Sequence, residues 1–214
     1  MNDHFPVLVV VLPLLAAFVL PLCTGRWRAM GQTLAVGVTG GVGLMLADIF
    51  VRVCIHGQTL TYTLGAADPR RAWGPGLDFP VRIVFCVDAF GAFMALVAVT
   101  VALCSVLYAV HFMAEAKRQP YYYALKLLML AGMLGLCMTD DLFNFFVFIE
   151  IVSIAAAALV AYRSDTAHPP YAGFKYLLVS AVATTFFLVG IGLLYAQYGS
   201  FNMRYLHRVM SASM

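Results

Sequence analysis

Glu150 lies in the middle of an otherwise apolar segment that runs from Leu142 to Ala161. A segment of this length and composition spans a bilayer, so the carboxylate would lie near the membrane centre. Inserting an acid there costs roughly 2.5–3.5 kcal/mol, and such residues usually face protein or water and have a partner. Ser153 shares a helical face with Glu150 and could share a proton or a water with it. The pattern predicts proton or ion movement, and a protonated packing group is the alternative.

Four further residues within or beside apolar segments could carry protons. Lys175 and Lys126 lie near the starts of two such segments, where a lysine either becomes a buried proton carrier or extends its ammonium to the membrane surface. For Lys126 we favour the surface position, and for Lys175 the two interpretations are equal. His111 and Tyr108 end another segment, where an interfacial histidine is commoner than a proton relay. The candidates for ion translocation are Glu150 and Lys175, and the candidates for an accessory proton path are Lys126, Tyr108, His111 and Ser153.

The sequence contains no recognisable catalytic centre. It has no glycine-rich phosphate loop, no histidine pair at helical spacing and no nucleophile beside a base. The five cysteines show neither metal-ligand nor redox-motif spacing, so no metal site and no cofactor are predicted. Cys54 and Cys86 flank a long polar segment and could form a disulfide in an oxidising compartment, although free thiols are the expectation.

Composition identifies the chain as an integral membrane protein. Of its 214 residues, 63% are hydrophobic and 11% are charged, and the mean hydropathy is +0.91. Six continuous apolar runs are each long enough to cross a hydrocarbon core of about 30 Å, which predicts an all-α protein with six transmembrane helices in a single membrane domain over residues 1–214. The runs are approximately Phe5–Leu22, Leu34–Val53, Ala89–Val110, Tyr122–Met138, Leu142–Ala161 and Phe174–Tyr198.

The long segment between the second and third runs has a different character. Two β-prone stretches, Thr59–Leu64 and Val81–Phe85, are separated by the turn-forming pairs Asp68-Pro69 and Gly74-Pro75. This pattern predicts a small β-hairpin at the membrane surface. Its expected role is a structural cap over the helix bundle.

Several aspartates lie at predicted helix ends. Asp140 and Asp141 precede the fifth run and Asp88 precedes the third, where a carboxylate caps free N–H groups and suits the positive end of the helix dipole. Asp48 lies inside the second run near its end, where it could face water. Capping explains the first three without a role in transport.

Basic residues in short loops indicate the orientation of the helices. The basic residues between runs one and two, three and four, and five and six all fall on one side of the membrane. Short loops with basic residues favour the cytoplasmic side. These residues are Arg26, Arg28, Lys117, Arg118 and Arg163. The opposite side also carries arginines, namely Arg70, Arg71, Arg82, Arg204 and Arg208, so the bias is modest. We expect a multi-pass protein of the inner (plasma) membrane with both termini outside. The net charge of +3 is scattered over loops, which indicates no nucleic-acid partner.

Several segments resemble a known family of membrane subunits. The segment Thr139–Glu150, with the apolar run to Tyr162, resembles the fifth-helix signature of the proton-translocating antiporter-like family. That family contains the D-type subunits of Mrp sodium/proton antiporters and the antiporter-like subunits of respiratory complex I and membrane-bound hydrogenases. The other matching segments resemble the family's third, fourth and sixth helices and the turn after the sixth; they are Val87–Phe90, Leu107–Met113, Leu130–Gly135, Phe174–Leu178, Gly190–Tyr195 and Gly199–Met203.

The resemblance implies roles for two residues. Glu150 corresponds to the family's helix-five glutamate, which is thought to pair with a lysine on helix seven and to modulate the proton affinity of that lysine. Lys175 corresponds to a lysine found on helix six near a proposed half-channel. Family members usually have more than twice as many helices, and the partner lysine and later relay lysines have no counterpart here.

The resemblance therefore predicts the amino-terminal piece of a split antiporter-like subunit, in a complex that translocates protons and/or sodium ions. A second chain would supply the missing helices and relay lysines, and the lipid bilayer and other membrane subunits are the expected partners. One alternative is a structural or assembly subunit without its own ion path, and another is a truncated fragment. Any redox reaction, as in an oxidoreductase or hydrogenase complex, would belong to other subunits.

Overall fold

The computed structural model describes residues 4–23, 28–57, 59–63, 83–113, 119–162 and 168–212. Within these ranges, six helices are long and apolar enough to cross a membrane, which confirms the predicted all-α membrane class. They are α1 (Phe5–Cys23), α2 (Arg28–Phe50), α3 (Ala89–Phe112), α4 (Gln119–Met138), α5 (Leu142–Val160) and α6 (His168–Tyr198). A shorter helix, α7 (Met203–Ala212), follows α6.

The sixth span is longer than hydropathy alone predicts. It begins at His168 rather than at Phe174, and Pro169 and Pro170 lie in its first turn. A proline there removes only an N–H group that has no partner within the helix, and its fixed φ suits a helix start. As a result, Lys175 lies about two turns inside α6 and not at its beginning.

The central helix of the bundle is α4, which packs against α1, α2, α3 and α5. Its fully buried side chains include Leu127, Leu130 and Leu134. Glycine allows its closest contact, because a Cβ added at Gly135 would overlap the ring of Phe148 on α5. Such close approach is typical of helices that associate in lipid, where small residues let the backbones meet.

The last two spans extend the bundle to one side. α5 packs on α4, and α6 packs mainly on α5. Most described residues of α6 are exposed, and the buried ones, Gly173, Thr184 and Ile191, recur along one stripe of the helix. The remaining faces of α6 have no neighbour among the described residues that buries them.

The predicted hairpin between α2 and α3 is confirmed. Strands β1 (Leu60–Thr63) and β2 (Val84–Val87) pair antiparallel. Phe85 bridges to Thr139 after α4, and His4 before α1 contacts Tyr62, with 3.1 Å between Nδ1 and the hydroxyl. The hairpin therefore covers one end of the bundle, called the hairpin end below. The opposite end, where α1 and α2, α3 and α4, and α5 and α6 follow one another, is called the loop end.

The two cysteines that flank the hairpin segment are both free. Cys86 is buried in β2, whereas Cys54 is exposed in a π-helical turn, Val51–Ile55, that continues α2. A disulfide between them is absent from the structure.

Some sequence predictions concern residues outside the described ranges. They are the strand ends Leu64 and Val81, the turn residues from Asp68 to Gly76, and the loop residues Arg26, Arg70, Arg71, Arg82, Lys117, Arg118 and Arg163.

Candidate functional site

Glu150 lies close to the middle of α5. It is about 12 Å along the helix from Leu142 and about 15 Å from Val160, at 1.5 Å per residue. The side chain is half-buried, and within the described part of the chain it makes no hydrogen bond or ion pair. Ser153 is buried on a neighbouring part of the helix surface but does not hydrogen-bond to the carboxylate. Glu150 is therefore a mid-membrane acid that has no partner among the described residues.

The contact between α5 and α6 shows which way Glu150 faces. Ala157 and Ala161 follow it at i+7 and i+11, so the three residues share one stripe of α5. A Cβ added at Gly173 of α6 would lie 2.7 Å from the Ala161 Cβ and 2.8 Å from the Ala157 carbonyl oxygen. Glu150 therefore lies on the face of α5 that is directed toward α6.

Lys175 faces away from that contact. It follows Gly173 by two residues, which turns it about 200° around the helix. Its side chain is exposed and lines an open groove of about 520 Å³ along α6, together with Tyr176, Val179 and Ser180. The structure therefore does not bring Lys175 and Glu150 together.

The helix contacts also set the levels of these residues in the membrane. The rings of Phe145 and Phe187 meet with centroids 5.9 Å apart, and Gly173 lies between the levels of Ala157 and Ala161. Continuing this antiparallel register places Lys175 level with Ala157, about 10 Å nearer the loop end than Glu150.

Lys126 is part-buried between α4 and α3, which differs from the surface position that the sequence favoured. Its Nζ donates to the Ser105 hydroxyl on α3 at 2.8 Å and lies 5.7 Å from the centre of the Tyr122 ring. The packing of Gly135 on Phe148 sets the register of α4 against α5, and it places Lys126 near the level of Ala157 as well. Two lysines thus flank α5 at similar depth, one on α4 and one on α6.

The remaining accessory candidates lie on the far side of the bundle. Tyr108 and His111 are exposed near the loop end of α3, and the Tyr108 ring stacks on Phe112 with centroids 5.7 Å apart. Because α4 lies between α3 and α5, neither residue approaches Glu150.

A polar cluster at the hairpin end was not predicted. The Asp140 carboxylate accepts from the Asn202 amide at 3.2 Å and lies 3.6 Å from the Arg204 Nε. Burial raises the pKa of Asp140, and Arg204 and Asn202 partly offset that rise. The expectation that Asp140 caps α5 is wrong, whereas Asp141 does so by accepting from the Asn144 N–H at 2.8 Å.

Two further aspartates have structural partners. Asp88 caps α3 as predicted, accepting from the Gly91 N–H at 2.7 Å. Asp48 is paired with Arg52 through two contacts, at 2.8 and 3.3 Å. The i, i+4 spacing of this pair is a signal that the sequence already contained.

The described residues contain no group of three or more histidine, cysteine, aspartate or glutamate side chains that could hold a metal ion. What the geometry offers is a mid-membrane carboxylate on α5 and two lysines nearer the loop end, one on α4 that donates to α3 and one on α6 that faces away from α5. Such groups can exchange protons or attract a cation when another charge approaches, because opposite charges shift each other's proton affinity.

Two family profiles match the chain. One, described as "NADH:quinone oxidoreductase/Mrp antiporter, TM", matches residues 139–214, and it includes the positions of Glu150 and Lys175. The other, described as "NADH-Ubiquinone oxidoreductase (complex I), chain 5 N-terminus", matches residues 73–123.

Curated relatives agree with these profiles. The chain is 33% identical to the N-type subunit of the NADH-quinone oxidoreductase of Desulforudis audaxviator over 95% of its own length and 38% of that relative. It is 28% identical to the D-type subunit of the Na(+)/H(+) antiporter of Bacillus subtilis over 99% of its length and 40% of that relative. The chain therefore spans about two fifths of the length of these relatives.

Two solved structures have the same fold over nearly all of the chain. A chain of the membrane-bound sulfane sulfur reductase, an archaeal respiratory membrane complex, superposes with a TM-score of 0.82 and 31% identity over 94% of this chain and 39% of that one. A chain of the Mrp complex from a Dietzia species gives a TM-score of 0.78 and 29% identity over 94% of this chain and 35% of that one.

Proposed function

The chain belongs to the proton-translocating antiporter-like family of membrane subunits, and from that premise we propose that its six spans form part of an ion path in a larger membrane complex. The ions moved are protons, sodium ions or both. The relatives named above are subunits of antiporters and of NADH-quinone oxidoreductases, and the proposal assigns this chain to a complex of that kind.

One observation carries the proposal. Glu150 is half-buried at mid-membrane, faces the lightly packed flank beside α6 and has no partner among the described residues. A lone carboxylate is costly there, so a cation supplied by helices outside these six is expected. The resemblance assigns that cation to a lysine of the next helix in the family. The exposed faces of α6 are where those helices would pack.

In this mechanism the pairing of Glu150 with its partner cation changes during transport. While the two are close, each stabilises the charged form of the other, so the partner holds its proton more tightly. When they separate, the partner releases the proton and the carboxylate can accept a proton or attract a sodium ion. Lys175 would exchange ions with the aqueous phase at the loop end. The candidates for an accessory path remain Lys126, Ser153, Tyr108 and His111.

The membrane and orientation are also part of the proposal. We place the chain in the inner (plasma) membrane with the loop end in the cytoplasm and both termini outside. Support comes from the basic residues between helices that follow one another at the loop end.

Replacing Glu150 by Gln tests the ion path. The amide keeps the shape of the side chain but cannot ionise. We expect proton or sodium flux in native membranes to fall at least about tenfold, because lowering the pKa of the partner cation by one unit changes its protonation equilibrium about tenfold. The measurement is ion flux into inverted vesicles. Asp48→Asn is the matched control, because it removes a carboxylate at the hairpin end that is paired with Arg52; it should keep near-normal flux.

The same vesicles identify the alternative role. If Glu150→Gln assembles into the complex and flux stays at the wild-type level, the chain is a structural or assembly subunit and the proposal is wrong. Mild-detergent purification with mass spectrometry then decides where the remaining helices come from. A stoichiometric multi-helix partner with intramembrane lysines would support the split-subunit hypothesis, and recovery of the folded chain alone would contradict it.

A further inference from the structure

The helix α7 has two chemically different faces. One face carries the polar and basic side chains, which are Arg204, His207, Arg208 and Ser211, and the other carries the apolar side chains, which are Met203, Tyr205, Leu206, Val209 and Met210. Leu206 is buried against the bundle, whereas Tyr205 and Met210 remain 41% and 38% exposed. Such a helix suits the boundary between lipid and water, and none of the ion-path residues lies on it.

The structure holds α7 at the hairpin end, next to the end of a transmembrane helix. α6 ends at Tyr198, and the next residue, Gly199, turns the chain with a φ of 68°. The Met203 N–H then donates to the Asp140 carbonyl oxygen at 3.0 Å, and the Asn202 amide donates to the Asp140 carboxylate. Because α6 crosses the membrane, a helix tied to its end in this way lies at the membrane surface.

The basic face of α7 is not neutralised by the described residues. Arg204 is the partly paired member, 3.6 Å from the Asp140 carboxylate with its side chain 48% exposed. His207 and Arg208 are exposed, and their side chains make no hydrogen bond or ion pair with the rest of the described chain. Together with Met203 these residues line an open groove of about 330 Å³. The sequence of α7 contains no acidic residue.

We propose that this groove binds the phosphate of an anionic phospholipid at the hairpin-end membrane surface. Guanidinium groups match phosphate oxygens in charge and geometry. The exposed apolar side chains of Tyr205 and Met210 lie on the same helix, which favours a lipid over a free phosphate ion. The proposal gives a reason for arginines at the end opposite the basic loops, and it holds whether or not Glu150 carries ions.

Arg208→Gln tests the site, because it leaves the contact between Arg204 and Asp140 in place. The full chain, with the subunits that copurify, is exchanged into lipid mixtures of phosphatidylglycerol and phosphatidylcholine, and bound lipid is counted by native mass spectrometry. We expect retention of phosphatidylglycerol to fall about fivefold, the typical contribution of one arginine near an anionic surface. Arg52→Gln is the control at the same end, since Arg52 is occupied by Asp48; it should retain the lipid.

Three results would overturn the proposal. The first is equal retention of phosphatidylglycerol by Arg208→Gln and the unmodified chain. The second is displacement of the lipid by millimolar inorganic phosphate alone, which would identify a site for the free ion. The third is loss of a copurifying subunit from Arg208→Gln with lipid retention unchanged, which would assign the basic face to a protein.

Discussion

At the residue scale, the charged groups of the spans differ in whether the fold supplies a partner. Asp48 is paired with Arg52, and Lys126 donates to Ser105. Glu150 and Lys175 have no partner among the described residues and face different sides of α6. Since an isolated charge in a membrane is costly, these two are the groups for which the proposed function expects partners on helices other than the six described.

The cysteines at the hairpin end should react very differently with maleimide. Burial raises the pKa of the Cys86 thiol from 9.0 to about 11, with partial compensation by the Arg204 guanidinium. A thiol is protonated below its pKa, so at pH 8 the thiolate fraction of Cys86 is about a hundredfold lower than that of an ordinary cysteine. Because Cys54 is exposed, mass spectrometry after brief labelling at pH 8 should find it modified and Cys86 intact.

Raising the pH provides the check on this prediction. Labelling of Cys86 should increase between pH 8 and pH 10, because the thiolate fraction rises about tenfold per unit below the pKa. Rapid labelling of Cys86 at pH 8, or a Cys54–Cys86 disulfide in the purified protein, would contradict the structure.

At the element scale, the way α6 joins the bundle depends on a close approach of two backbones. Gly173 lies against Ala157 of α5 and against Ala161, the residue that follows this helix, and α6 packs mainly on α5. In lipid, association of helices relies on such packing rather than on the hydrophobic effect. The contact at Gly173 therefore holds the helix that carries Lys175 beside the helix that carries Glu150.

Gly173→Ala should weaken this contact. The new methyl group would meet the Ala157 carbonyl oxygen and the Ala161 Cβ below 3 Å, and overpacking of this kind costs about 1–3 kcal/mol. We expect a lower melting temperature in mild detergent. Gly190→Ala on the same helix is the matched control, because its added Cβ would meet no other described helix within 4 Å.

Comparing the two variants separates the effect of packing on the melting temperature from the effect of helix propensity. Alanine favours a helix over glycine by about 1 kcal/mol at both positions. If Gly173→Ala melts at or above the temperature of Gly190→Ala, the contact between α5 and α6 differs from the one described.

At the scale of the whole molecule, the described helices form a compact group around α4 and a lateral extension through α5 and α6. The mid-membrane carboxylate lies in the extension, on α5 beside α6, which is the least buried of the six spans. The two ends also differ, since the hairpin and α7 lie at one end, and the basic loops connect helices at the other.

Cysteine labelling in intact cells tests the proposed orientation. In a variant without native cysteines, Thr59→Cys at the hairpin end should react with a membrane-impermeant maleimide added outside. Arg163→Cys, between α5 and α6 in the sequence, should react only after the cells are permeabilised. The reverse pattern would place the loop end outside and reject the proposed topology.

The sequence alone determined the membrane class, six spans, the hairpin and the caps at Asp88 and Asp141, because hydropathy, β-propensity and capping act over a few neighbouring residues. It also contained the family resemblance. Only the tertiary structure decided that Asp140 binds Asn202 and Arg204, that Lys126 donates to Ser105, and that Lys175 faces away from Glu150. These outcomes depend on helix register and on contacts between residues far apart in the chain, such as the 62 positions between Asp140 and Asn202. No local pattern encodes such distances, so the packing of whole helices had to be known.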